Sequence, residues 1–566
     1  MTQSTPAIVI LGQSALATAR IIQQIYPEAQ VHGLAGRVDG ADRSYQEFGV
    51  TLRELYQQGT PIIALCAAGI VIRTLAPLLL EKGAEPAVLA VAEDGSAVVP
   101  LLGGLGGVNV MAREIAAGLQ VSAAITTSGE LRFGTCLLNP PSGYALADLE
   151  QGKRFVSDLL AGHSVRIEGA APWLNQAQLP EDPQAQRSIH VGSVEREANA
   201  NELLIYPRSV AVVVSADVAD LSNAVRSALR EANVAAQSLA CLVAPDTLMA
   251  CARLRETAVE LGVPLRFVAS TGDAQALALV AVPDARISVV NNLAIAMADQ
   301  PLDVAQVGRP RGRLAVIGLG PGAAELMVPA VKAELARATD VLGYETYVRM
   351  AGPFRADQVQ HCTDNREEMQ RARHAFRLAA EGRSVIVVSS GDPGVFAMAA
   401  AVLEALHESV DPAWHSVDLE ILPGVSASLA TAAQAGAPLG HDFCVMSLSD
   451  NLKPWAIIEK RLDLAAEADL ALAFYNPISK ARPWQLGRAL EIVGQHRTPQ
   501  TPVVLGRDIG RPGQTLRTTT LGALTVGQVD MRTMVLIGSS TTCVFPRATG
   551  GDWVYTPRWY GEKPNG

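Results

Sequence analysis

The sequence is poor in several residue classes, and each shortage argues against a class of protein. Only 18% of its 566 residues are charged and only 5% are aromatic. Acidic residues outnumber basic ones by 56 to 46, and this balance argues against a general nucleic-acid binder, which needs a basic face. The seven cysteines are scattered and never show the paired spacing of a zinc site. We therefore expect reduced, buried thiols and no metal site.

Long apolar runs are also missing. The longest uncharged stretches, residues 95–112 and 421–440, are interrupted by glycine, proline or asparagine, so neither predicts a membrane span. The first residues, MTQSTPAIVILGQ, carry no basic group before the apolar run and do not have the pattern of a secretory signal. These features predict a cytoplasmic protein without transmembrane segments.

What the chain does contain is typical of α/β proteins. Short apolar runs such as AIVIL, PIIALC and AVLAVA each lead into a helix-like segment, and 48 glycines supply tight turns. A chain of this length needs about three or four domains. We predict an α/β module with a linker-like end (1–205), a smaller α/β module (206–299), a linker (300–312), a larger α/β domain (313–555) and a tail (556–566).

One helix can be predicted from its capping pattern. Asp364 with Glu367 forms a capping box, and Gly382 ends the helix. The residues expected to share its apolar face are Met369, Ala372, Phe376 and Ala379. Its other face carries Arg366, Arg371, Arg373 and Arg377. These arginines indicate either a solvated face or a patch that faces substrate carboxylates.

The first chemical motif follows the strand that begins at Leu314. It is a loop with glycines at 318, 320 and 322 and a proline at 321, where a ligand or a neighbouring strand can approach the backbone. The loop also fits the dinucleotide fingerprint G-x-G-x-x-A, which makes a nicotinamide or flavin enzyme an alternative. One feature argues against a dinucleotide site. The carboxylate that binds the ribose lies at the C-terminal end of the next strand, whereas Asp340 precedes the next apolar run. A purely structural turn is a second alternative.

Four further strand ends carry small or turn-forming residues. They are SVIVVSSGDPGVF (384–396), ILPGVSAS (421–428), FYNP (474–477) and VLGRDIG (504–510). Because ligand-binding loops gather at strand ends of α/β proteins, we expect these segments to form one site.

The ordered set GLGPG, SSGDPGVF, PGVSA and FYNP resembles the tetrapyrrole methylase family, over about 230 residues. Within it, ATDVLGYETYV (338–348), DNREEM (364–369) and FYNPIS (474–479) look most like the precorrin-3B C(17)-methyltransferases and their cobalt-factor III counterparts. The resemblance implies a two-lobed α/β methylase, usually a homodimer, that binds S-adenosylmethionine between its lobes. It implies methylation of C-17 of precorrin-3B or cobalt-factor III, with ring contraction, in cobalamin biosynthesis.

The resemblance also implies roles for particular residues. The implied cofactor contacts are Gly318, Gly320, Pro321, Gly322, Ser390, Gly391, Asp392, Val395, Phe396, Ser426, Ala427, Tyr475, Asn476 and Gly510. Glu345 and Tyr347 are the main candidates for the proton transfer that ring contraction requires, with His441 and Asp508 as further candidates. Arg507 and Arg511, with Arg517, are candidate partners of substrate carboxylates; surface solubility is the alternative interpretation.

Residues 61–127 resemble the cobalt-precorrin-5A hydrolase family through AAGIVIR and PLLGGLGGVN. That family usually has a histidine in the glycine loop, where this sequence has Gly104 and Leu105. We therefore interpret the N-terminal half as a degenerate hydrolase-like module. Its glycine loop indicates either an anion site at a helix N-terminus or close strand packing. Two alternatives for the whole chain remain: a methylase that acts at another ring carbon, and a non-catalytic corrinoid-binding scaffold.

Overall fold

The computed structural model describes residues 5–79, 85–269, 272–355, 357–364, 367–479 and 482–559. The chain divides into two compact units, Met1–Arg311 and Gly312–Gly566. The mixed α/β class predicted from the sequence is confirmed, because helices alternate with strands through both units.

The first sheet of the N-terminal unit has the strand order β3-β2-β1-β4-β5-β6, parallel except for β6. The apolar runs at its centre form strands as predicted, and they are buried on both faces. Its elements are β1 (Ala7–Ile10), α1 (Leu16–Ile25), β2 (Gln30–Leu34), β3 (Arg43–Tyr45), α2 (Phe48–Gln57), β4 (Ile62–Leu65), α3 (Ala68–Leu75), β5 (Val88–Val91), β6 (Val98–Leu102), α4 (Val108–Leu119) and α5 (Ser128–Phe133).

A second sheet corrects the linker-like end predicted for residues 1–205. It has the order β7-β10-β9-β8. The composition of this region, rich in Pro, Gln and Asn, concealed short strands that tertiary packing around Phe133, Phe155 and Leu174 stabilises. Its elements are β7 (Tyr144–Leu146), α6 (Leu149–Leu160), β8 (Val165–Glu168), β9 (Arg187–Val191) and β10 (Glu202–Pro207).

A third sheet completes this unit, in the order β13-β12-β11-β15-β14. The predicted strand SVAVVVS forms its buried centre, with a core on each face. Its elements are β11 (Val210–Val214), α7 (Leu221–Glu231), β12 (Leu239–Pro245), α8 (Ala252–Leu261), β13 (Leu265–Val268), α9 (Ala274–Ala281), β14 (Arg286–Val290) and β15 (Leu293–Met297).

The C-terminal unit begins with an all-parallel sheet, in the order β18-β17-β19-β16-β20. This first lobe has apolar cores on both faces of its central strands. Its elements are β16 (Arg313–Gly318), α10 (Pro329–Arg337), β17 (Asp340–Tyr344), α11 (Glu345–Ala351), β18 (Val359–Thr363), α12 (Glu368–Ala380), β19 (Ser384–Ser389), α13 (Met398–Glu408), α14 (Pro412–His415) and β20 (Asp418–Leu422).

The second lobe is built on a mixed sheet, in the order β22-β23-β26-β24-β25, and on a small sheet β21-β28-β27. Strands β22, β23 and β24 all point the same way. The elements are α15 (Ala427–Ala435), β21 (Gly436–Ala437), β22 (Phe443–Ser447), α16 (Trp455–Glu467), β23 (Ala471–Tyr475), α17 (Gln485–Gly494), β24 (Pro502–Arg507), β25 (Thr515–Thr520), β26 (Thr533–Ile537), β27 (Cys543–Pro546) and β28 (Asp552–Tyr555).

Helix α12 differs from its prediction at both its start and its polar face. It begins at Glu368 with Glu367 as the N-cap, although the Glu367 carboxylate does accept from the Asp364 N–H at 3.2 Å. The predicted apolar face is confirmed, but Arg371 is only 2% exposed, so the arginine face is not uniformly solvated. Arg366 lies outside the described residues.

Two further expectations can be compared with the structure. All seven cysteines are free thiols, but Cys362 and Cys543 are exposed, which corrects the expectation that all are buried. Among the described residues, no helix is both long and apolar enough to cross a membrane.

Candidate functional site

Three loops of the first lobe meet because their strands are parallel neighbours. Strand β16 lies between β19 and β20, so the loops that follow these strands leave the same edge of the sheet. Gly320 and Gly391 bond to each other through both backbone groups, at 3.1 and 2.7 Å. The Asp392 carboxylate accepts from the Gly424 N–H at 3.0 Å and from the Gly394 N–H at 2.8 Å. Asp392 therefore joins the second loop to the third.

Glycine is required where these loops cross. A Cβ atom on Gly424 would lie 2.1 Å from the Gly391 carbonyl oxygen and 2.7 Å from that of Gly318. Gly320 has φ of +74°, in the left-handed region that favours glycine. Of the glycines predicted as ligand contacts, Gly318 would place a Cβ 2.4 Å from the Gly391 carbonyl oxygen, so Gly318 and Gly320 let the loops pack together.

The second lobe contributes two loops to the same edge. Tyr475, at the end of β23, receives a hydrogen bond from the Ser428 N–H at 3.1 Å, and its ring lies 5.4 Å from that of Phe396. Asn476, with φ of +50°, donates from Nδ2 to Ser447 Oγ at 3.0 Å. The loops that carry Phe396, Ser428 and Tyr475 therefore form one continuous surface.

Arg511 links the lobes on the other side of the site. Its Nε donates to the Pro321 carbonyl oxygen at 3.0 Å, and its Nη2 donates to Ser390 Oγ at 3.2 Å. A Cβ on Gly510 would lie 2.8 Å from the Pro321 ring. Pro321, Ser390 and Gly510, all predicted cofactor contacts, are thus brought together by a side chain that the sequence assigned to the substrate.

The start of helix α15 forms part of the surface between these loops. The Ser426 side chain does not cap the helix; it contacts the Ser428 hydroxyl at 3.1 Å. Uncapped N–H groups at a helix N-terminus can receive polar ligand atoms. Ser426 and Ala427, both predicted cofactor contacts, lie here. Gly322 lies in the first loop. Val395 lies in the second loop, and its side chain is half-buried.

The candidate acid–base residues lie in different environments. Tyr347 packs edge-on against Tyr344 at 5.4 Å. Burial raises the pKa of Tyr347, and the positive charges of Arg511 and Arg371 act in the opposite direction. Glu345 is exposed and forms an ion pair with Arg349, one turn along α11. Of the two, Tyr347 is the one near Arg511.

Of the remaining candidates, Arg507 and Asp508 lie in the strand-end segment 504–510 and are held in ion pairs. Arg507 contacts Asp530 at 2.8 Å and Asp508 at 3.2 Å, and hydrogen bonding to Asp530 raises the pKa of Arg507. Asp508 is buried and also contacts Arg532. His441 precedes β22 and so lies at the edge of the sheet opposite to the loops, beside Asp442. Arg517 is exposed on β25.

Two further residues build the site, although the sequence assigned neither of them a definite role. Arg371 donates from Nε to Thr363 Oγ1 at 2.7 Å, and from Nη2 to the Asp364 carbonyl oxygen at 2.7 Å, which positions it close to Tyr347. Ser428 is bound by Tyr475. Ser428 lies in the segment PGVSAS, where it follows the N-cap by two positions. For Arg371, the sequence left open whether its helix face is solvated or faces substrate carboxylates.

The glycine loop of the N-terminal unit shows close packing. A Cβ on Gly103 would lie 2.3 Å from the Pro86 carbonyl oxygen, and Gly103 has φ of +79°. After the loop, Asn109 donates to Glu130 at 2.7 Å and to Thr127 at 2.9 Å. Among the described residues, no group of three or more His, Cys, Asp or Glu side chains could hold a metal ion.

One family model matches each of the two units. Residues 313–525 match the family described as Tetrapyrrole (Corrin/Porphyrin) Methylases, and residues 50–130 match the one described as Cobalamin synthesis G N-terminal. A precorrin-3B C(17)-methyltransferase from Sinorhizobium sp is 51% identical over 250 residues, which cover 44% of this chain and 97% of that protein. A probable cobalt-factor III C(17)-methyltransferase from Salmonella typhimurium is 40% identical, covering 41% of this chain and 94% of that protein.

Two further similarities concern a fused relative and a solved structure. The cobalamin biosynthesis protein CobIJ from Mycobacterium tuberculosis is 46% identical over 255 residues, which are 44% of this chain but 49% of that protein. This chain therefore spans about half the length of that relative. A crystal structure of the methyltransferase CobJ is 51% identical, covering 44% of this chain and 100% of that one with a TM-score of 0.41.

Proposed function

Because the chain belongs to the tetrapyrrole methylase family, we propose that its domain over residues 313–555 methylates C-17 of precorrin-3B or of cobalt-factor III. S-adenosylmethionine is the proposed methyl donor, and the macrocycle contracts in the same reaction, to precorrin-4 or its cobalt form. The observation that carries the proposal is the convergence of five strand-end loops. The domain that contains them is 51% identical to a precorrin-3B C(17)-methyltransferase, over 97% of the length of that protein.

The proposed role of the loops is to hold the cofactor and to align it. When bound, S-adenosylmethionine supplies an electrophilic methyl group. Gly320 and Gly391 hold the first two loops together, and Arg511 fixes Pro321 and Ser390 from the second lobe. Such fixed alignment of reacting groups can supply about 7 to 11 kcal/mol of the barrier in favourable cases.

Tyr347 is the proposed proton donor for ring contraction. A tyrosine hydroxyl is protonated at neutral pH and can donate that proton, although burial raises the pKa of Tyr347 and by itself makes it a weaker acid. Arg511 and Arg371 stabilise the phenolate that forms when the proton leaves. Glu345, exposed and paired with Arg349, is the second candidate.

We also propose that the N-terminal unit is a degenerate hydrolase-like module. The support is the match of residues 50–130, together with the glycine loop that has Gly104 and Leu105 in place of a histidine. The family resemblance further supports a homodimer through the methylase domain, which sedimentation analysis of the purified chain would test.

The test is incubation of the full chain with methyl-labelled S-adenosylmethionine and either precorrin-3B or cobalt-factor III. We expect one labelled methyl group at C-17 of a contracted product, identified by mass spectrometry and carbon NMR. Label at another carbon would assign the domain to a different tetrapyrrole methylation. Binding of a dinucleotide without binding of S-adenosylmethionine would favour an oxidoreductase, and binding without turnover would favour the scaffold.

The role of Tyr347 has its own test in the same assay. Tyr347→Phe removes the acidic proton, and we expect ring contraction to slow by about a hundredfold or more, a typical loss for general acid catalysis. Affinity for the cofactor should not change. Tyr344→Phe is the matched control, since its ring packs against Tyr347 at 5.4 Å. Equal rates in the two variants would exclude Tyr347 and leave Glu345.

A further inference from the structure

A cavity of about 450 Å³ lies beside the candidate cofactor site in the second lobe. One wall is strand β22, and another is helix α16 with the loop that precedes it. Its lining is mostly apolar and includes Met446, Ile458 and Ala465. This volume lies within the range of small-ligand sites, about 300 to 1,000 Å³.

Two cations line this otherwise apolar cavity. Lys453 and Arg461 both contribute to its wall, and neither forms an ion pair with a carboxylate within the part of the chain that the structure describes. Burial, and then the positive charge of Arg461, lower the pKa of Lys453. Lys453 is half-buried and Arg461 is exposed, and an anion held by both side chains would offset the repulsion between their like charges.

The cavity shares residues with the loops of the candidate site. Phe396 is part of its lining, packs against Tyr475 at 5.4 Å, and has the Lys453 ammonium 5.8 Å from its ring centre. Ser447 also lines it and accepts from Asn476. A ligand that occupies the methyl-transfer site can therefore extend a side chain into this cavity.

We propose that the cavity binds a carboxylate side chain of the tetrapyrrole, held by Lys453 and Arg461. The inference rests on the proposed function, because the substrates proposed there carry several carboxylates on flexible arms. A carboxylate can accept charge-assisted hydrogen bonds from an ammonium and a guanidinium at once, and the apolar walls accommodate the methylene groups that join it to the macrocycle. The cofactor also carries a carboxylate, and the experiment below distinguishes the two sources.

The test compares Lys453→Gln and Arg461→Gln with Lys460→Gln, which removes the same charge from an exposed position next to Arg461. For each full-length variant we would measure KM and kcat for precorrin-3B or cobalt-factor III, and calorimetric affinity for S-adenosylhomocysteine. We expect the macrocycle KM to rise about tenfold for each cavity variant, the size of one charge-assisted contact. In both cavity variants we expect kcat and the affinity for S-adenosylhomocysteine to stay unchanged. In Lys460→Gln we expect all three measured constants to stay unchanged.

Two controls separate this inference from folding and from the proposed function. Lys453→Arg keeps the charge and should recover most of the affinity, whereas a merely structural lysine would not be rescued. Uroporphyrin III, an octacarboxylate, serves as a binding probe that needs no turnover. Weaker uroporphyrin binding in the cavity variants would support the subsite. If the wild-type protein methylated neither substrate, that result would overturn the proposed function but not the subsite.

Three results would overturn the subsite. The first is an unchanged macrocycle KM in Lys453→Gln and Arg461→Gln, and the second is an equal rise of this KM in Lys460→Gln. The third is a loss of S-adenosylhomocysteine affinity in the cavity variants that is as large as their loss of macrocycle affinity. The last would reassign the cavity to the cofactor carboxylate.

Discussion

Arg511 makes contacts across the two lobes that its sequence context did not predict. It follows the loop GRDIG, yet its guanidinium bonds to the Pro321 carbonyl oxygen and to Ser390 Oγ of the first lobe. It therefore positions two cofactor loops. Side-chain partners separated by more than a hundred residues depend on how the lobes pack, and a local motif carries no information about that packing.

Arg511→Met tests this positioning role. The variant keeps the aliphatic stem but loses both hydrogen bonds, so we expect S-adenosylhomocysteine to bind about tenfold more weakly, as for one or two lost charge-assisted hydrogen bonds. Isothermal titration of the purified chain would measure the change. Arg517→Met, on the exposed β25, is the control. If both variants bind S-adenosylhomocysteine like the wild type, Arg511 does not position the loops.

At the scale of elements, the sequence predicted buried parallel strands well and short exposed strands poorly. The apolar runs that begin near Leu314 and Ser384 form central strands of one parallel sheet, because a strand buried on both faces has a continuous apolar sequence. The run near Asp418 also forms a strand of this sheet, but this strand lies at the edge and is partly exposed. The sheet over residues 144–207 was missed. Its strands β7 and β8 are partly exposed and give no clear period, whereas β10 is buried along its whole length.

Helix α12 shows why one of its faces was misjudged. Arg371 is buried and bonds to Thr363, Asp364 and, through Nη1 at 3.0 Å, to Met398 Sδ. Arg373 on the same helix is exposed and forms an ion pair with Glu408 at 3.3 Å. The sequence places both arginines on the polar face of the helix. Only tertiary packing distinguishes them.

The two arginines therefore differ in their predicted contribution to stability. Arg371→Ala should lower the free energy of unfolding by about 3 kcal/mol, because it breaks buried charge-assisted hydrogen bonds and leaves an unfilled space. Arg373→Ala should change it by about 0.5 kcal/mol or less, as for an exposed ion pair. Urea unfolding of both full-length variants, followed by α-helical circular dichroism, would measure the difference. Equal destabilisation would contradict the inward orientation of Arg371.

At the scale of the whole molecule, the chain is two units whose division falls between Arg311 and Gly312. The proline- and arginine-rich segment 300–312 was predicted as a linker, but most of it packs on the N-terminal unit, where Val307 is buried and Arg309 exchanges two backbone hydrogen bonds with Phe267, at 2.7 and 2.8 Å. Composition could not show that Gly312 belongs to the fold of the second unit. Its carbonyl oxygen accepts from the Asp418 N–H at 2.9 Å, and a Cβ on it would lie 1.6 Å from the Ala379 carbonyl oxygen.

This division predicts that residues 312–566 are a complete methyltransferase. Every loop of the candidate site comes from this unit, and a relative aligned over 97% of its length accounts for only 44% of the chain. We expect the fragment to methylate the macrocycle with kcat and KM within about twofold of the full chain, a difference of roughly 0.4 kcal/mol. Residues 1–311 alone should not transfer a methyl group. A folded 312–566 fragment with a much lower kcat would show that the N-terminal unit takes part in methyl transfer, whereas an unchanged kcat with a raised KM would indicate that it helps to capture the substrate.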